Sequence, residues 1–105
     1  FVVAAEWCPD CHEELPAVQK FYDENKDRVN VVVVFISNRS SLLNARKFVE
    51  SNKYTFPVFY DFDKSIVNGF KVKGVPFNLK IRKSVIEDIS EGTMTLDGLN
   101  EMFMD

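Results

Sequence analysis

The sequence predicts an α/β protein: a central mixed β-sheet of four to five strands, flanked by helices on both faces. Three observations carry this prediction. Val31-Val32-Val33-Val34-Phe35-Ile36 is apolar at every position and rich in β-branched residues, the pattern of a parallel strand buried on both faces. Short apolar runs alternate with stretches whose apolar residues recur every three or four positions, which gives the order β-α-β-α-β-α-β-β-α. The only two cysteines, Cys8 and Cys11, stand where the first strand gives way to the first helix, the end at which open α/β sheets place their sites.

Taken in order, Phe1 to Ala5 reads as a short buried strand. Asp10 to about Lys26 follows as an amphipathic helix, with Leu15, Val18 and Tyr22 on one face. Pro16 interrupts it, lacking an N–H and crowding the preceding turn, so a kink is expected there. Val31 to Ile36 is the central parallel strand. Ser40 to Asn52 forms the second helix, capped by Ser40 or Ser41, with Leu42, Ala45 and Val49 facing inward. Pro57 to Tyr60 reads as a short edge strand, and Asp63 as the cap of a short helix reaching about Phe70. Phe77 to Ile81 and Val85 to Ile89 form a closing antiparallel hairpin. Thr95 caps a last helix with an apolar stripe of Leu96, Leu99, Met102 and Phe103.

The 105 residues suffice for one domain with its own core. With 46% hydrophobic and 28% charged residues and a net charge of −3, the chain has the balance of a globular protein and no electrostatic reason to bind nucleic acid. The longest apolar run, Val31 to Ile36, is far short of the ~18–20 residues that span a bilayer, so no membrane segment is expected. The chain starts at Phe1 inside an apolar run. A preceding N-terminal strand or strands, and any signal or anchor, are therefore expected to be missing from it.

Two cysteines separated by two residues can close a small reversible disulfide. At a helix N-terminus the first sulfur also feels unpaired backbone N–H groups, which favour the reactive thiolate. Cys8, ahead of the helix, is expected to be the more exposed sulfur and the nucleophile. Cys11, one turn in, is expected to be shielded and to act as the resolving thiol. Pro9 offers no N–H to a thiolate, and an ionised Asp10 nearby would disfavour a second negative charge. Both tune the pair towards a reductant.

Cys8 to His12 also reads C-x-x-C-H, so a c-type haem-binding protein is a rival reading. No second Cys/His cluster completes a zinc site, and no metal is expected.

The segment Trp7-Cys8-Pro9-Asp10-Cys11-His12-Glu13-Glu14-Leu15-Pro16 resembles the W-C-x-x-C-x-x-E-x-P signature of the TlpA/ResA-like thiol-disulfide oxidoreductases of the thioredoxin superfamily. Phe56-Pro57-Val58-Phe59-Tyr60-Asp61 resembles their F-P-V-x-x-D edge strand, Gly74-Val75-Pro76 their G-V-P, and Gly92 a glycine after the last strand. These matches run in order along essentially the whole chain.

The resemblance implies a single thioredoxin-like domain over residues 1–105 and a protein-disulfide oxidoreductase whose redox group is the Cys8–Cys11 disulfide, with no other cofactor. It implies a cis Pro76 facing the cysteines, with the Val75 backbone presented to an extended substrate. Trp7 and Phe77 would line an apolar groove beside them. Glu14, one turn beyond Cys11, would accept or relay the Cys11 proton. The expected partners are protein disulfides and an upstream electron-donor protein, met by a monomer outside the cytoplasm, in a bacterial periplasm or cell envelope. A Trp-Cys-Pro-Asp-Cys motif also occurs in a cytosolic branch, which leaves the cytoplasm open.

Three features depart from the pattern. Val2 and Ala4 stand where thioredoxin carries a buried Asp and a Trp. The turn at Arg82-Lys83-Ser84 lacks the usual Asp-Gly, and Phe77 follows the proline where Thr is commoner. A thioredoxin-like domain that binds partners without redox chemistry competes with the oxidoreductase reading, as haem attachment does. A thiol peroxidase competes too, although the chain has no T-x-x-C motif.

Overall fold

A computed structural model describes residues 1–104. Its elements follow the predicted order: β1 (Val2–Ala4), α1 (Pro9–Asn25), β2 (Val33–Ile36), α2 (Leu42–Ser51), β3 (Val58–Asp61), α3 (Ser65–Gly69), β4 (Phe77–Arg82), β5 (Val85–Glu91) and α4 (Leu96–Phe103). They build one five-stranded mixed sheet in the order β3-β2-β1-β4-β5. β1 lies at its centre, parallel to β2 (Val3↔Val34) and antiparallel to β4 (Val3↔Phe77). β2 in turn runs parallel to the edge strand β3, from Val33↔Val58 to Ile36↔Asp61.

All residues of β1 and β2 are buried, which for consecutive residues of a strand requires cover on both faces. On one side α1 packs against α4, with the Phe21 and Phe103 rings 5.9 Å apart. α2 contributes Phe48, whose ring meets Phe35 of β2 edge-on at 6.0 Å. β1, β2 and β3 all point the same way, so their C-terminal ends form one rim of the sheet. The cysteine segment leaves from that rim.

Local chemistry accounts for the element ends. The Ser41 hydroxyl accepts from Asn44 N at 3.1 Å, and that of Thr95 from Gly98 N at 3.1 Å, as N-caps do. α1 continues unbroken through Pro16. Pro16 lies on the exposed side with His12, whose carbonyl has no N–H to receive from it.

The cap of α3 differs from expectation. The fully buried Asp61 carboxylate, at the end of β3, accepts from Ile66 N (3.1 Å) and Val67 N (3.0 Å). Asp63 accepts from Ser65 N, at 3.0 Å, in the turn that leads into the helix. Between Arg82 and Val85, which pair across the hairpin, Lys83 and Ser84 adopt φ of 52° and 66°. Two left-handed residues make a type I′ turn, built here without the Asn-Gly or Asp-Gly that reaches it most easily.

Candidate active site

Cys8 is the N-cap of α1. Its backbone is extended, and its Sγ accepts from Cys11 N at 3.4 Å, the place a Ser or Asp side chain takes in an ordinary cap. Pro9 opens the helix, where its missing N–H leaves nothing unsatisfied. Both cysteines are free thiols. Cys8 is 6% exposed and Cys11 is sealed at 0%, so the first sulfur is the one within reach of a partner. The Cys8 thiol also donates to the Val75 carbonyl at 3.5 Å. The Val75–Pro76 peptide bond is cis, and the Pro76 carbonyl accepts from Gly92 N at 3.0 Å, which ties the proline loop to the end of β5.

Burial pushes the Cys11 thiol far above its usual pKa, and the charges of Cys8 and Glu14 push the same way; the Ala5 backbone hydrogen bond opposes them. Asp10 is exposed in the first turn of the helix.

Glu14 is fully buried, unlike the typical helix-surface glutamate. It lies one turn beyond Cys11, on the face of α1 turned to the sheet. Its Oε1 accepts from Met94 N at 2.8 Å and from Asn78 Nδ2 at 3.4 Å, while Oε2 is buried without a partner. Burial raises its pKa to about 7 against the pull of those two donors. Val2 and Ala4 place no carboxylate on the central strand, and the buried acid comes from the helix instead.

Trp7 is 40% exposed beside Cys8. Its indole N–H donates to the Asn38 carbonyl at 2.7 Å, and the Arg39 guanidinium sits 5.3 Å over its ring. The Ser40 hydroxyl donates to Glu6 at 3.0 Å, so the β2–α2 loop braces both residues before the first cysteine. Phe77 does not line a groove. It is 3% exposed and belongs to the core, because β4 lies inside the sheet between β1 and β5. His12 donates through Nε2 to the Glu6 carbonyl and packs 4.8 Å from the Phe48 ring.

Trp7 and Cys8 from the segment before the first helix, Cys11 and Glu14 from the helix, and Val75 and Pro76 from the proline loop thus come to one end of the sheet. Sequence reasoning missed Asn78, the Met94 N–H and the Asn38–Arg39 brace. For Asn78 there was a signal: a lone amide in the apolar strand Phe77-Asn78-Leu79.

Residues 1–92 match the AhpC/TSA family. The thioredoxin-like protein YneN of Bacillus subtilis is 38% identical over 93 residues, covering 87% of this chain and 54% of that protein. The thiol-disulfide oxidoreductase ResA of Oceanobacillus iheyensis is 32% identical over 96 residues, covering 90% and 50% respectively. The chain therefore spans about half the length of the curated relatives it matches. The crystal structure of StoA from Bacillus subtilis superposes with a TM-score of 0.88 at 31% identity, covering 95% of this chain and 77% of that one. This chain belongs to the AhpC/TSA family of the thioredoxin superfamily, among its TlpA/ResA-like thiol-disulfide oxidoreductases.

Proposed function

We propose that the protein reduces disulfides in other proteins by thiol-disulfide exchange at Cys8 and Cys11. The observation that carries this is the asymmetry of the pair: a helix-capping Cys8 that keeps 6% exposure, and a sealed Cys11 whose N–H reaches the Cys8 sulfur. The Cys8 thiolate attacks one sulfur of a substrate disulfide. A Cys8–substrate bond forms, the substrate S–S bond breaks, and one substrate thiolate leaves. Cys11 then gives its proton to Glu14 and attacks Cys8 Sγ. The second substrate thiolate departs and the Cys8–Cys11 disulfide closes. Two electrons have passed to the substrate, and a dithiol protein upstream restores them.

Burial holds Cys11 protonated until a base takes its proton. Glu14, with a pKa of about 7, is placed to exchange a proton near neutrality. The burial of Cys11 and the engaged ring of His12 favour this chemistry over haem attachment.

Among the described residues no helix is long and apolar enough to cross a membrane. From the family resemblance we place the protein's work outside the cytoplasm of a bacterial cell. Labelling Cys8 in intact cells with a membrane-impermeant maleimide tests that compartment. The activity itself is tested with insulin and dithiothreitol: the protein is expected to accelerate insulin precipitation, and Cys8→Ser to abolish the effect. Equal activity in Cys8→Ser overturns the reading.

A further inference from the structure

Asn78 sits on β4 directly across from Glu14, and each keeps one buried oxygen without a partner, Asn78 Oδ1 and Glu14 Oε2. The amide has one workable orientation. Nδ2 lies 3.3 Å from the Ser90 carbonyl, 3.3 Å from the Gly92 carbonyl and 3.4 Å from Glu14 Oε1. A flip would set Oδ1 against three oxygens, so Nδ2 stays on that side, its two N–H groups serving three acceptors with one of them shared between Glu14 Oε1 and a β5-side carbonyl. Met94 N donates to the same Oε1 at 2.8 Å. One carboxyl oxygen thus faces two N–H donors and the other faces none. A proton added to Oε1 would compete with both donors, whereas Oε2 is free to carry it.

We propose that Asn78 is a positioning residue for the exchange reaction: held by Ser90 and Gly92, it fixes the Glu14 carboxyl so that Oε2 is the oxygen that trades a proton with Cys11. The inference rests on the proton-transfer role given to Glu14 above. The charge of Glu14 acts on Cys11, which shares α1 with it. β4 and the end of β5 present Asn78, Ser90 and Gly92 to this site, and the segment before α4 presents Met94, all uncharged. Asn78 also links the acid to Gly92, whose N–H holds the Pro76 carbonyl, so one chain of hydrogen bonds runs from Glu14 to the proline loop.

The test is the pH profile, from pH 5 to 9, of single-turnover insulin reduction by the pre-reduced protein, followed by Trp7 fluorescence. The wild type is expected to show an inflection near 7 that Glu14→Gln removes. Asn78→Ala loses a donor to the ionised carboxyl, so its inflection is expected to rise by about half to one pH unit, the equivalent of one hydrogen bond. In the Glu14→Gln background Asn78→Ala is expected to leave the profile unmoved. Asn78→Ser, whose hydroxyl is too short to reach Glu14, gives the same upward shift and serves if the alanine variant does not fold.

An inflection that stays in place in both folded Asn78 variants overturns the proposal. So does an equal change in the Glu14→Gln background, which marks a purely structural role. Persistence of the inflection in Glu14→Gln alone overturns instead the role of Glu14.

Discussion

Replacing Glu14 with glutamine removes a titrating group while keeping an oxygen to accept from Met94 and Asn78, which isolates the energetic effect of burying the acid. Its pKa rises from an ordinary 4.5 to about 7 in the folded protein. Below about 4.5 the carboxyl is protonated whether the chain is folded or not. Between 4.5 and 7 the folded protein holds a proton that the unfolded chain has lost, so stability falls as pH rises. Above 7 both are ionised and the full penalty stands, about 3 kcal/mol.

The stability of the wild type relative to Glu14→Gln is therefore expected to fall by about 2–3 kcal/mol between pH 5 and pH 8. Urea unfolding of the reduced proteins reads this as a relative change in midpoint of roughly 1–2 M. Other titrating groups cancel in the comparison. Parallel stability–pH curves for the two proteins would falsify the buried, proton-binding Glu14.

Three further outcomes follow from the geometry. Asp61→Ala removes the carboxylate that receives two N–H groups at the start of α3 and is expected to destabilise by about 2–3 kcal/mol in thermal or urea unfolding; Asp61→Asn, which keeps one acceptor, loses less. The pair Lys83→Asn and Ser84→Gly relaxes the two left-handed turn residues and should raise Tm by several degrees, by scanning calorimetry, without altering insulin reduction. Arg39→Ala withdraws the cation over Trp7 and is expected to raise the KM for insulin more than it lowers kcat.

The order of elements was legible because periodicity and β-branched runs report burial locally. The Val31 to Ile36 run forecast an interior parallel strand, and Ser41 and Thr95 cap their helices through contacts three residues away. What escaped was set by distant partners. Glu14 was legible by its place one turn beyond Cys11, but its partners Asn78 and Met94 lie 64 and 80 positions along the chain, and only the fold shows it sealed. The choice of Asp63 over Asp61 as helix cap had a local cause: Asp63 stands two residues before Ser65, whereas Asp61 reaches five and six residues on, to Ile66 and Val67, from the end of β3. Phe77 looked like a groove residue by its nearness to Pro76, yet the side chains of a strand alternate, and an interior strand buries both faces. The left-handed turn at Lys83-Ser84 carried no glycine or asparagine to announce it.

The central claim is that Cys8 makes the covalent bond with the substrate and Cys11 breaks it. Incubating reduced Cys11→Ser with insulin, quenching with acid and mapping the adduct by mass spectrometry tests this most directly. The expected product is a mixed disulfide at Cys8, released by dithiothreitol, with none in Cys8→Ser. An adduct carried by Cys11 in the Cys8→Ser protein, or none in Cys11→Ser, would contradict it.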